Sequence, residues 1–132
     1  MDLHRNDSPE DIDFYRSQFT ATIQAIYNSV GENAFKNYSN GKFSKKFHPA
    51  IFDSLMVSAY FSISRKNTLP NVSLETHLSL LADSRFKESI SKRTTDIENI
   101  KRRISIAGHT LFGVVLEWNR NFKICYLNVL MN

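Results

Sequence analysis

Apolar residues return at steps of three and four along three long stretches, and this rhythm constrains the fold more than any other feature. In the first stretch, Ile12, Tyr15, Phe19, Ile23, Ile26 and Val30 mark one side of a helix near 9–30. Ser8-Pro-Glu-Asp11 gives that helix a start: a serine cap, a proline tolerated in the first turn, and acids that complement the helix dipole. In the second, Pro49 opens a helix near 49–64 whose Phe52, Leu55, Met56, Ala59, Tyr60 and Ile63 should face a core. In the third, Thr95-Asp-Ile-Glu98 reads as a capping box. Behind it Ile97, Ile100, Ile104, Ala107, Leu111, Val114 or Val115, and Trp118 carry a helix near 96–118. Gly108 and Gly113 either weaken that helix, by about 1 kcal/mol each relative to alanine, or let a neighbouring helix come close.

Shorter pieces fill the intervals. A helical turn is expected around Ala34, Phe35 and Tyr38, then a polar loop from Asn37 to Lys46 centred on the turn dipeptide Asn40-Gly41. After the loop 65–71, Ser73 caps a short helix with Leu74, Leu78, Leu81 and Ala82 inward, and 85–91 adds another anchored by Phe86 and Ile90. The tail from Phe122 to Met131 fits a strand through Phe122, Ile124 and Tyr126, or a helix through Ile124, Leu127 and Met131. With 4 Gly and 3 Pro the chain is poorly supplied for the many turns of an all-β protein. The expectation is an all-α, single-domain bundle of five to six helices across 1–132, with 1–7 flexible and 120–132 an apolar tail. The three long helices should form its centre, with Phe14 or Tyr15, Phe19, Phe52, Leu55, Ile100 and Ile104 in contact.

No apolar run reaches the roughly 18 residues that span a bilayer, and Met1-Asp-Leu-His-Arg lacks the apolar stretch of a signal peptide. Cys125 is the only cysteine and has no internal disulfide partner, which suits a reducing cytoplasm. The sequons at Asn6, Asn37 and Asn71 are then accidental. The net charge of +4 is unevenly placed: residues 1–35 hold six acids against Arg5 and Arg16, whereas 36–103 hold thirteen Lys/Arg against six acids. Such polarity suits docking to an acidic surface or steering towards phosphate, or simply a solvated face with acids at a helix start.

Catalytic chemistry is hard to place. His4, His48, His77 and His109 are too scattered for a zinc site, and the glycines form no phosphate-binding loop, so neither metal nor cofactor is expected. The pairs Asp11 and Asp13, and Asp96 and Glu98, fall at helix starts where capping explains them. Cys125 between Ile124 and Tyr126 reads as an inert buried thiol, and His48 before Pro49 as a cap or turn residue. The chain is therefore read as not an enzyme. Lys42, Lys45 and Lys46 alternate with Phe43 and Phe47, a mixture that can contact phosphates and stack bases. Arg102 leads a second basic stretch, in which Lys101 and Arg103 flank an apolar stripe and are expected to snorkel. The rings of Phe43 and Phe47 could equally anchor their loop to the core. Ile124, Leu127 and Leu130 in the apolar tail are the candidates for contact with a protein partner.

Three segments read together resemble a known family. They are Phe19 with Ile26-Tyr-Asn-Ser-Val-Gly-Glu-Asn-Ala-Phe35; Phe47-His-Pro-Ala-Ile-Phe-Asp-Ser-Leu-Met-Val57; and Phe86-Lys-Glu-Ser-Ile90 followed by Thr94-Thr95 and Ile100-Lys-Arg-Arg-Ile104. Their order resembles the helical C-terminal region of the GmrS-like restriction proteins, the domain of unknown function family 262, over roughly residues 14–107. The resemblance implies a helical module of a prokaryotic anti-phage system. That family's enzymatic half has a ParB/sulfiredoxin-like fold with an Asp-Gly-Gln nucleotide motif and is often joined to an HNH nuclease. This chain contains neither motif, so no catalytic residue carries over. The expected function is a non-catalytic interaction module of a restriction or defence system. Its partner would be a nuclease, a nucleotide-hydrolysing subunit or another copy of itself. The alternatives are a stand-alone nucleic-acid-backbone binder and a small enzyme using His48 or Cys125.

Overall fold

A computed structural model describes residues 9–118, apart from the side chains of Asp11 and Tyr15. In chain order the elements are α1 (Pro9–Ser29), β1 (Lys36–Ser39), β2 (Lys42–Phe47), α2 (Pro49–Lys66), α3 (Leu74–Ala82), α4 (Ser84–Ser91) and α5 (Ile97–Phe112). The protein is mostly helical, but a two-stranded antiparallel sheet replaces the expected helical turn and polar loop, so the all-α expectation is corrected. Among the described residues no helix is long and apolar enough to cross a membrane.

The hairpin forms because Asn40 and Gly41 both take positive φ, 54° and 79°, which matches the twist of the strands they join. Tyr38 pairs with Phe43 and Ser39 with Lys42 across the turn. Further along, Lys36 pairs with Phe47, so Ser44, Lys45 and Lys46 all stand opposite the single residue Asn37. This is a β-bulge, braced by the Lys46 N–H donating to Ser44 Oγ at 3.1 Å. The aromatic residues on either side of it are the anchors: Phe43 rests on Tyr38 and His77, Phe47 on Phe35 and Phe52.

Helices α2 and α5 form the centre and run in the same direction. Arg103 meets Asp53, Gly108 faces Ser58, and Lys66 Nζ donates to the Phe112 and Gly113 carbonyls. The seam on α2 is lined by Ser54, Ser58 and Ser62, all fully buried one turn apart. Ser54 and Ser58 return their hydroxyls to the carbonyls of Ala50 and Ser54, at 2.6 Å each, so these polar groups enter the core without a partner on α5. A Cβ added to Gly108 would lie 3.1 Å from that of Ser58, which confirms the close approach offered as one reading of this glycine. Around the seam, Ile26, Ile51, Leu55, Leu80, Leu81, Phe86 and Phe112 complete the core.

The third long helix is shorter than its periodicity suggests. Gly113 ends it with φ 66°, and the Val114 N–H turns back to the Gly108 carbonyl at 3.1 Å. Residues 114–118 then lie along the helix they follow. Val114 and Leu116 are buried and Val115 and Glu117 exposed, while Trp118 Nε1 donates to Ser105 Oγ at 2.9 Å. At the other end Asp96, not Thr95, is the cap residue, and its side chain makes no capping bond. Asn99 Nδ2 instead donates back to the carbonyls of Lys92 and Arg93. Ile97 and Leu74, expected inward, are exposed first residues of their helices. Ser73 does cap α3, accepting from the Thr76 N–H at 3.1 Å.

Helix α1 lies beside α2 in the same sense, with Phe19 near Phe52 and Ser29 bonded to Pro70 beyond the far end of α2. Thr22, Ile26 and Ser29 are buried there. Because Phe52 is only three residues inside α2, the first part of α1, Pro9 to Gln18, forms an overhang beyond the other described elements. Ten helical residues reach ~15 Å, and every described side chain on them is exposed. Of the expected central contacts, Phe19 does meet Phe52, although its ring is half-exposed; the Phe14 ring is exposed, and Tyr15 lies outside the described side chains.

Candidate interaction surface

The overhang leads into an aromatic cluster centred on Phe52. Phe35 approaches it edge-on at 4.9 Å, Phe47 at 5.1 Å, and Phe19 at 6.3 Å between ring centroids. Phe35 also meets Phe47 at 6.2 Å. Each ring comes from a different local cause: the stripe of α1, the corner after Gly31, the end of β2, and the first turn of α2. Despite these contacts Phe19 is 51% and Phe47 55% exposed, and Ile12, in line with Phe19 two turns earlier, is 42% exposed. Exposed rings side by side mark a surface that gains by being covered.

Beside this face the bulge carries Lys45 and Lys46, both exposed, and the strand's first residue, Lys42, is exposed next to the turn. These three lysines are thus on one short element, β2. Arg102 is exposed too, yet it lies on α5, which packs chiefly against α2, α3 and α4. Its guanidinium donates to Asn99 Oδ1 at 3.5 Å. Phe43 is half-buried against Tyr38 and His77, so its ring is occupied by packing. Ile124, Leu127, Leu130 and Cys125 lie outside the described residues.

The sequence reading missed Arg103, which is buried, not snorkelling. Its Nη1 donates to the carbonyls of Ser89 at 3.2 Å and Thr94 at 2.7 Å, and Nη2 reaches Asp53 Oδ2 at 2.7 Å. One guanidinium thereby ties α2, α4 and the turn before α5. The only signal in the sequence was its place beside Ile104 and three residues after Ile100, at the edge of a buried stripe. His48 begins α2 as its cap residue, without a side-chain capping bond, and its Nδ1 is buried without a hydrogen-bond partner. Burial holds its pKa below the ordinary histidine value; a bond involving its own backbone opposes this and the Arg103 charge adds to it.

His77 is buried on α3, stacked 5.4 Å from Phe43, and burial likewise lowers its pKa. Both rings take up a proton more readily in the unfolded chain, where the value is near 6.5. Stability should therefore be complete above that pH and fall as pH drops below it. A thermal unfolding series from pH 7.5 to 5 should show a falling midpoint, with a shallower decline in His77→Leu. An unchanged slope in that variant would remove His77 as the source. Asp83 adds a later loss. Burial raises its pKa, but bonds from the Phe86 N–H and from the Arg85 side chain and N–H outweigh this and hold the carboxyl below its usual 3.8. Its contribution is present above that value and disappears only in stronger acid.

A groove of about 310 Å³ between the hairpin tip and α3 is lined by Tyr38, Ser39, Asn40, Leu78, Leu81, Ala82 and Lys87. Lys87 is the one charged residue in its lining. Among the described residues there is no cluster of three His, Cys, Asp or Glu able to hold a metal ion. No family model, curated protein or solved structure matches the chain.

Proposed function

We propose that this protein is a non-catalytic interaction module that docks a protein partner on the aromatic face shared by α1, β2 and α2. The observation that carries this reading is the pairing of half-exposed Phe19 and Phe47 around Phe52, beside a helix that runs past the other described elements. Aromatic rings, phenylalanine among them, are enriched at the cores of protein interfaces. The likeness of its segments to the GmrS-like helical region supports a place in a cytoplasmic prokaryotic restriction complex. Less supports a nucleic-acid surface, because Phe43, between Lys42 and Lys45, is packed against Tyr38 and His77, and Arg102 lies on a different element, α5.

Co-purification from the native host tests the proposal. The tagged wild-type chain should retain a partner in near-stoichiometric amount, either a nuclease-class subunit or an untagged copy of the chain. The variant Phe19→Ser/Phe47→Ser should lose it by roughly tenfold or more. Because Phe47 also seats β2 on Phe35 and Phe52, its unfolding midpoint should fall, and circular dichroism below that midpoint establishes that the variant assayed is folded. Equal retention by the variant, or no partner on the wild type, would reject this reading.

A further inference from the structure

We propose that the hairpin tip, residues 38–43, is an acid-released flap that Phe43 latches on His77 and that hinges at the bulge 44–46. The hairpin is seated at two places by different neighbours. Its base rests on α2, where the rings of Phe35 and Phe47 lie 4.9 and 5.1 Å from that of Phe52. Its tip rests on α3, where Phe43 stacks on His77 at 5.4 Å with 27° between the ring planes. The bulge separates the two seats, and an extra unpaired stretch on one strand is where a ladder bends. Lifting the tip also opens the groove that Tyr38, Ser39 and Asn40 form with Leu78 and Leu81 of α3.

His77 is 3% exposed, and its Nε2 is buried without a hydrogen-bond partner. A protonated ring carries a charge and an N–H donor on each nitrogen. In the latched state one donor then lacks an acceptor and the charge lacks water, which is costly. Among the described residues no carboxylate answers that charge. The titratable groups of the hairpin are Lys36, Tyr38, Lys42, Lys45 and Lys46, with no acid. Against α3, α4 brings Arg85, Lys87 and Glu88, and α5 brings Glu98, Lys101, Arg102, Arg103 and His109. Glu88 and Glu98 are exposed, as is Glu75 on α3 itself, and burial is the cause that holds the His77 pKa below 6.5. Lifting the tip admits water to the ring, so acid favours the open state. The latch is complete above pH 6.5 and weakens as pH falls below it. With an open-state pKa of 6.5, the open-to-latched ratio rises by at most about thirtyfold on going from neutral pH to pH 5.0.

Aromatic NMR of the full chain between pH 7.5 and pH 5.0 provides the test. Nuclear Overhauser cross-peaks from Phe43 to His77 should weaken by roughly half or more as pH falls, while those from Phe47 to Phe52 persist, because only the tip lifts. In Phe43→Ser the His77 ring loses its cover and should titrate closer to 6.5 than in the wild type. In His77→Leu the contacts from Phe43 to the substituted side chain should keep their intensity down to pH 5.0, although His48 still titrates. Tip and base cross-peaks that weaken together would show that the whole fold yields to acid, and the flap falls. Phe43–His77 cross-peaks unchanged at pH 5.0 would overturn it as well. So would a His77 ring that titrates equally low in the wild type and in Phe43→Ser, because Phe43 is then not its cover. If His77→Leu does not fold, the wild-type series and the Phe43→Ser titration decide the matter between them.

Discussion

Replacing Asp53 by alanine should lower the unfolding free energy by about 3 kcal/mol, more than replacing its partner Arg103 by methionine. The two ends of this ion pair sit in different surroundings. The Arg103 side chain is 6% exposed and that of Asp53 is 40% exposed. Without Asp53, a guanidinium remains in the interior with only the Ser89 and Thr94 carbonyls and no opposing charge. Without Arg103, the leftover carboxylate is within reach of water, and methionine refills much of the space. Because Asp53 is partly hydrated, the expected loss lies at the lower end of the range for breaking buried pairs, which extends to about 5 kcal/mol. The double variant should be more stable than Asp53→Ala alone, since it removes the stranded charge together with its partner. Urea titrations followed by circular dichroism measure all three. Equal and additive losses would mean that the carbonyls alone satisfy the guanidinium.

Gly108→Leu should cost about 3 kcal/mol or prevent folding, whereas Gly108→Ala should be close to neutral. Alanine gains about 1 kcal/mol of helix propensity over glycine, but its methyl would sit 3.1 Å from Ser58 Cβ, and separating the helices slightly uses up that gain. Leucine adds three more carbons to a seam already occupied by Ser58, Leu116 and the Val114 carbonyl. The nearest atom cannot yield, because Ser58 Cβ is fixed to the backbone of α2. Thermal and urea unfolding of the two variants provide the check. A leucine variant as stable as the alanine one would show that the seam is looser than its spacing implies.

Much of the helical framework was legible in the sequence because caps and periodic stripes are local signals. Pro49, Ser73 and the stripe through Ile23, Ile26 and Val30 led to the right elements. The hairpin was harder to see. Lys42 to Phe47 contains no β-branched residue, and the bulge breaks the alternation that would reveal a strand. What fixes β2 is tertiary, namely the seats of Phe43 on His77 and Phe47 on Phe52. The end of α5 was misjudged because Val114 and Trp118 happen to continue its helical spacing, although they alternate with exposed residues after Gly113. The aromatic face was half legible. Periodicity marked Ile12 and Phe19 as one stripe of α1, but only the relative placement of α1 and α2 reveals that the body ends before the stripe does.

The parallel course of α2 and α5 has a kinetic consequence. Two neighbouring helices joined by a tight turn can zip together locally, but these two are separated by the whole of 67–96. Their shared seam cannot close until α3 and α4 have been brought round to the side, so the entropy of closing that long excursion falls on the central contact. The chain should therefore assemble from its flanks inward and reach its last barrier at the pairing of its two middle rods.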